Sequence, residues 1–282
     1  MKNQILICSY AKDFEWLMFC LESLNKYAKG FLPPVVCVAQ EDVTGARITI
    51  EQFCPDAILK VFDGKPGQGF MRAQIAMMRG DELCPDADNI FFLGSDCIAT
   101  DTFEPGPYLA PDGRPAVLYT LYPTLKDCHA DALPWKAGVE RVLQIIPPAE
   151  YMRRLPSVFP RTIFAPMRAM VSKIHNRPFD EYIYLGDLPY RDTSEANILG
   201  AYAHRFMPET CLWVDIATQG LYGCQVNGWP TVIAQFWSHG GLDRPVDCCF
   251  EYRGKSVVGR TARDIINEIL HANPTPTPNL PV

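Results

Sequence analysis

The chain has 282 residues, a formal charge of −6, and 48% hydrophobic and 11% aromatic residues. That length suits one large domain or two small ones, and the composition excludes a disordered chain. The acidic balance excludes a global electrostatic pull toward nucleic acid or anionic membrane.

Met1-Lys2-Asn3-Gln4 runs directly into a strand-like stretch, Gln4 to Cys8, so no signal peptide is expected. Ser9-Tyr10-Ala11-Lys12-Asp13 then turns into a helix whose Phe14, Leu17, Leu21, Leu24 and Ala28 recur at three- and four-residue spacing. Gly30 ends it, and Pro33-Pro34 keeps it from resuming. Val35–Ala39 and Ala57–Phe62 read as the second and third strands, and 63–69 as a loop. A helix is predicted from Phe70 to Arg79. Ile90 to Leu93 reads as a short buried strand, broken by Gly94 and Ser95 and followed at once by Asp96. This rhythm predicts an α/β fold with a mixed, mostly parallel sheet flanked by helices. In such sheets ligands sit just past the carboxyl ends of strands, which is where Asp96 stands. The alternative for Asp96 alone is a turn cap.

After the first strand the chain has neither G-x-G-x-x-G nor a P-loop, which argues against dinucleotide enzymes and P-loop kinases. Ser9-Tyr10-x-x-Asp13, the helix with Cys20-Leu-Glu-Ser-Leu24, Phe70-Met-Arg72-Ala-Gln74 and Gly94-Ser95-Asp96 together resemble the nucleotide-sugar half of GT-A glycosyltransferases. The resemblance covers roughly residues 4 to 101. It implies a GT-A-like Rossmann-type fold and transfer of a sugar from a nucleotide diphosphate sugar, such as a UDP-sugar, to a hydroxyl. Ser9, Tyr10, Asp13, Arg72, Gln74, Ser95 and Asp96 would then surround the donor, and Asp96 would stand at the family's D-x-D metal motif. The first aspartate of that motif is Gly94 here. A Mn²⁺ or Mg²⁺ ion neutralising the diphosphate would therefore need a second protein ligand from elsewhere. His239, in Trp237-Ser-His-Gly-Gly241, matches the late histidine that many GT-A enzymes supply.

Residues 105 to 150 read as proline-rich and irregular apart from a strand at Ala116–Leu121, with Trp135 either packing or stacking on a sugar. Residues 151 to 179 carry Arg153, Arg154, Arg161, Arg168, Lys173 and Arg177 with no acid among them. That stretch suggests a phosphate-rich contact, or a face paired with acids elsewhere. Asp192 and Glu195 have capping-box spacing ahead of a helix. Glu195 also resembles the acidic residue that GT-A enzymes place at a helix start facing the acceptor, with Asp192 in reserve as the catalytic base. A helix start is expected to lower the pKa of Glu195. Leu212–Ile216 and Thr231–Trp237 read as late strands, Arg263–Leu270 as a last helix, and 273–282 as a mobile proline-rich tail.

The expectation is one GT-A-like domain over 1–272, with a donor half in 1–101 and an acceptor half in 102–272. The acceptor is a glycan, or a hydroxymethylated base in DNA as in phage enzymes of DNA modification. The alternative is a non-catalytic nucleotide- or glycan-binding module. Eleven cysteines without a C-x-x-C pair, and no apolar run of roughly 18 to 20 residues, fit a protein of the reducing cytoplasm (a host's, for a phage product) with no membrane span.

Overall fold

A computed structural model of the chain describes residues 1–64, 69–125, 132–185, 193–217, 232–246, 251–252 and 255–272. The amino-terminal elements run β1 (Asn3–Cys8), α1 (Phe14–Tyr27), β2 (Leu32–Val38), α2 (Val43–Phe53), β3 (Ile58–Val61), α3 (Gly69–Met77), α4 (Gly80–Leu83), β4 (Asn89–Gly94) and β5 (Cys97–Ala99). There follow β6 (Ala116–Leu121), α5 (Tyr122–Leu125), α6 (Pro134–Leu143), β7 (Ala149–Glu150), β8 (Ser157–Pro160), α7 (Phe164–His175), α8 (Phe179–Leu185) and α9 (Glu195–Phe206). The last are β9 (Leu212–Asp215), β10 (Ile233–Gln235), β11 (Glu251–Tyr252), β12 (Lys255–Ser256) and α10 (Ala262–His271).

The main sheet has the order β3-β2-β1-β4-β8, parallel except for β8. Its central strands are continuous apolar runs because helices cover both faces. Ile5, Ile7, Phe91 and Leu93 point to a core shared with Leu17 and Leu21 of α1 and Ile265 and Ile269 of α10. Leu6, Ile90 and Phe92 point the other way, toward Ile75 of α3, Met167 of α7 and Leu199 of α9. Each such side chain, fully buried, contributes about 1.5–3 kcal/mol. The order reverses between β1 and β4: α1 and α2 pack on one face and α3 on the other. The carboxyl ends of β1 and β4 therefore flank the crevice where doubly wound sheets bind ligands.

Elements after residue 101 pack on those before it: β8 joins the main sheet, β10 pairs with β5, and Tyr27 Oη donates to Ile269 O at the end of α10 (2.6 Å). A separate sheet of β7, β6 and β9 lies beside them. Among the described residues no helix is long and apolar enough to cross a membrane.

Several sequence expectations are corrected. The stretch between β2 and β3 holds the helix α2, hidden because it carries Gly45, Thr44, Thr49 and two isoleucines, weak helix formers. Tertiary packing decides there, since a Cβ at Gly45 would lie 2.6 Å from the Phe14 ring. The 105–150 region is less irregular than expected, for α6 buries Val139, Val142 and Leu143. Trp135 packs on the small cluster of Tyr122, Leu125 and Ala132. In the basic stretch, Arg168 pairs with Asp81 (2.5 Å) and Glu82 (2.8 Å) of α4, and Arg161 Nε donates to Ala87 O (2.8 Å). Those acids lie 87 and 86 residues earlier, beyond any local reading. The residue capping α9 is Ser194, whose Oγ accepts from Asn197 N (3.3 Å). Glu195 is thus the first residue of that helix rather than the third-position partner of Asp192, and Asp192 lies outside the described residues.

Gly200 sits in mid-helix because α9 presses on Tyr151: a Cβ there would lie 2.5 Å from the Tyr151 Cγ. Alanine gains about 1 kcal/mol in helix propensity, but overpacking costs about 1–3 kcal/mol. Gly200→Ala is therefore expected to lower the melting temperature, read by thermal denaturation. A rise would show that the contact relaxes freely.

Candidate functional site

At the switch point lies a cleft of about 820 Å³. Eight of the residues singled out from the sequence line it: Ser9, Tyr10, Asp13, Arg72, Gln74, Ser95, Asp96 and Glu195. They come from four places in the chain. The turn after β1 supplies Ser9, Tyr10 and Asp13; α3 supplies Arg72 and Gln74; the end of β4 supplies Ser95 and Asp96; the start of α9 supplies Glu195.

Asp13 and Asp96 form a pair. Asp96 Oδ2 accepts the Ser238 backbone N–H (2.9 Å), while Asp13 Oδ2 accepts from Ser95 Oγ (3.3 Å) and Ser238 Oγ (3.5 Å). Ser238 thus touches both carboxylates. Burial raises the pKa of both groups, and the charge of Asp96 raises that of Asp13 further. Ser238 arrives because β10 pairs antiparallel with β5, Gln235 opposite Cys97, and Phe236 N donates to Asp96 O (3.1 Å). Trp237 takes a left-handed backbone (φ 62°), uncommon for a bulky residue. That turn delivers the Ser238 N–H to Asp96, and Trp237 lines the cleft, 37% exposed. Gln235 also hydrogen-bonds Asp96. His239 lies in the short turn Ser238–Gly240 next to this pair; its side chain is outside what is described.

Across the cleft, Gln74 Oε1 accepts the Glu195 backbone N–H (2.8 Å), and the Gln74 side chain also hydrogen-bonds the Glu195 side chain. Burial raises the Glu195 pKa, outweighing the backbone hydrogen bonds that lower it. The expected lowering by the helix start is therefore reversed: desolvation wins over the dipole. Arg72 is engaged with Glu41 (2.8 Å), an exposed acid. Ser9 Oγ is buried with no hydrogen-bond partner among the described residues.

Sequence reasoning missed Gln235, Ser238, Met152 and Trp237 as parts of the site. The signal available was only the strand ending at Trp237, and nothing local shows that it pairs beside Asp96. Among the described residues, no group of three or more His, Cys, Asp or Glu is placed to hold a metal. Two carboxylates and neighbouring hydroxyls nevertheless make a hard oxygen set, and a hard divalent cation binds through one or two carboxylates completed by phosphate oxygens. Both acids have raised pKa values that such a cation would relieve.

No family model and no curated protein matches the sequence. Among solved structures, the chain is similar to mouse xyloside xylosyltransferase 1 in its apo form, at 10% identity over 84% of this chain and 98% of that one, with a TM-score of 0.46. A likeness at this level does not extend to chemistry.

The raised carboxylate pKa values make a stability prediction. A group that binds its proton more tightly in the folded state stabilises the fold at low pH, and that stability is lost as pH rises through its folded pKa. Asp96→Asn mimics the protonated form and keeps an acceptor for Ser238 N–H. It is expected to raise the melting temperature at about pH 7–8, the gain closing as pH falls toward about 4. A destabilised variant at neutral pH would mean that the Asp96 charge is compensated in the fold.

Proposed function

We propose that this chain is a glycosyltransferase that moves a sugar from a nucleotide diphosphate sugar to a hydroxyl. The observation that carries this reading is the Asp13–Asp96 pair at the sheet's switch point with a third carboxylate, the buried Glu195, lining the same cleft. Ser9, Tyr10 and Arg72 are assigned to the nucleotide. Asp13 and Asp96, with Ser95 and Ser238 behind them, would hold a Mg²⁺ or Mn²⁺ ion, and the neighbouring His239 is kept as a further ligand. Such an ion, when bound, neutralises the charge that collects on a diphosphate leaving group.

The chain's own residues divide the remaining work. Glu195, held at its backbone and side chain by Gln74, accepts the proton of the acceptor hydroxyl as that oxygen bonds to the anomeric carbon and the nucleoside diphosphate departs. Its raised pKa makes the ionised form a stronger base than an exposed glutamate. This assignment is for inversion at the anomeric carbon; with retention, Glu195 positions the acceptor instead. Asp192 remains the reserve base. The acceptor is assigned as a glycan hydroxyl. For a DNA acceptor the basic stretch loses force, since Arg168 is buried in an ion pair with Asp81 and Arg161 spends its Nε on Ala87 O.

The test is release of nucleoside diphosphate from a panel of nucleotide sugars, with and without Mn²⁺. One donor is expected to turn over. Glu195→Gln is expected to lower the rate about 10²- to 10⁴-fold, and Asp96→Ala to abolish the dependence on Mn²⁺. The wild-type rate should climb with pH, because Glu195 works as the carboxylate and its pKa is raised. Tight binding of a nucleotide sugar without release, over glycan acceptors and hydroxymethylated DNA alike, would replace this reading with that of a binding module.

A further inference from the structure

Among the described residues the buried arginines, Arg153 and Arg168, differ in one respect. Arg168 has both terminal nitrogens engaged: Nη1 donates to Met78 O (2.7 Å) and Asp81 (2.5 Å), and Nη2 to Asp81 (3.0 Å) and Glu82 (2.8 Å). Arg153 is more deeply buried, its side chain 2% exposed, and it pairs through Nε with Glu150, itself 0% exposed. Beyond that ion pair, neither Nε nor Nη2 makes a hydrogen bond among the described residues. A buried guanidinium serving only the fold would be expected to have its donors satisfied, as Arg168 has.

Arg153 also differs in place. It lines the cleft, as do Arg154 and Met152, in the segment between β7 and β8. Glu150 is fixed from its other side, Oε1 accepting Met152 N (2.9 Å) and Asn197 Nδ2 (3.1 Å), so the carboxylate that orients Arg153 does not wander. The charged residues lining the cleft are Asp13, Asp96 and Glu195 against Arg72, Arg153 and Arg154, and Arg72 is already joined to Glu41.

We infer that Arg153, with Arg154 next to it, forms an oxyanion subsite of the cleft that receives a phosphate group. A guanidinium fork matches phosphate oxygens, and with Nε facing Glu150, Nη2 is a donor open to one. The proposed transferase activity supplies the name of the most direct ligand, the donor diphosphate; the subsite itself rests on Arg153 and its surroundings. A phosphate-bearing acceptor has the same chemistry.

The test is calorimetric titration of the full chain with inorganic pyrophosphate, and with uridine, guanosine and their diphosphates. Wild type, Arg153→Lys and Arg153→Met are compared. Lysine keeps the buried positive charge beside Glu150 but lacks the fork, so it decides the matter if the methionine variant does not fold. Expected is a loss of about tenfold or more in affinity for pyrophosphate and for the diphosphate that binds. Nucleoside affinity should stay within about twofold. Displacement of pyrophosphate by a nucleoside diphosphate would name the donor as the source of the phosphate. Simultaneous binding would name the acceptor; both support the subsite. Three results would overturn it: no pyrophosphate binding to wild type, unchanged binding to Arg153→Lys, or an equal loss for nucleosides, the mark of a merely structural role. Because pyrophosphate binding needs no turnover, an inactive wild type that still binds it through Arg153 sinks the transferase reading alone.

Discussion

The arrangement of the site depends on the parallel pairing of β1 with β4. Six consecutive pairs, Asn3 opposite Asn89 through Cys8 opposite Gly94, bring the two strand ends level. Asn89 Nδ2 donates to Asn3 Oδ1 (3.1 Å) at the far end, so the register is marked by a buried polar contact as well as by apolar packing. A slip by one residue would turn Ile5 and Ile7 to the face that holds Leu6 and exchange both cores. With the register held, the turn after β1 and the turn after β4 emerge side by side, and Asp13 and Asp96 meet across them. The side-by-side placement of the acids is thus a consequence of the hydrophobic pattern of two strands, at positions more than eighty residues apart (|i−j| 82 for the contact Ser95 to Asp13).

A second constraint acts from the opposite wall. Glu150, fully buried, accepts from Asn197, whose Oδ1 in turn accepts Tyr151 N (2.8 Å) and whose Nδ2 also reaches Ser194 Oγ (3.1 Å). Ser194 caps the helix that begins with Glu195. A buried ion pair is weak evidence for stability, since desolvation offsets most of the attraction, yet removing one partner of such a pair costs about 3–5 kcal/mol. What this network accomplishes is placement: it ties the arginine of the β7–β8 segment and the first turn of α9 to one carboxylate. Two walls of the cleft are thereby fixed relative to each other by polar groups, while the floor is fixed by the sheet.

How much of this was legible in the sequence follows from the range of the forces involved. β1, α1, β4 and β6 announce themselves through their own apolar periodicity, and eight of the ten residues chosen for the site do line one cleft. Their convergence has a physical reason: in a doubly wound sheet, the residues just past strand ends share an edge. What failed depended on distant partners. The polar contacts of Arg168 come from α3–α4 and the terminal nitrogens of that side chain are all engaged; α2 is held by Phe14 rather than by propensity; Ser238 reaches Asp96 only through the pairing of β10 with β5. For Glu195 the electrostatics failed, because its burial, which raises the pKa against the hydrogen bonds that lower it, cannot be read from a helix start.

Gly94 draws these strands together. Under the D-x-D resemblance drawn from the sequence alone, the glycine reads as a loss. The space around it says otherwise: a Cβ on residue 94 would lie 2.6 Å from Asp96 Oδ1. The Asp96 carboxylate already fills the volume that a side chain at 94 would need, held there by the Ser238 N–H on its other oxygen. An aspartate at 94 would therefore displace the Asp96 carboxylate. Asp13 stands on the facing turn, and burial, with the charge of Asp96 beside it, raises its pKa. Acids gathered this way favour positive charge, and on the opposite wall Arg153, paired with buried Glu150, has an Nη2 without a hydrogen-bond partner among the described residues.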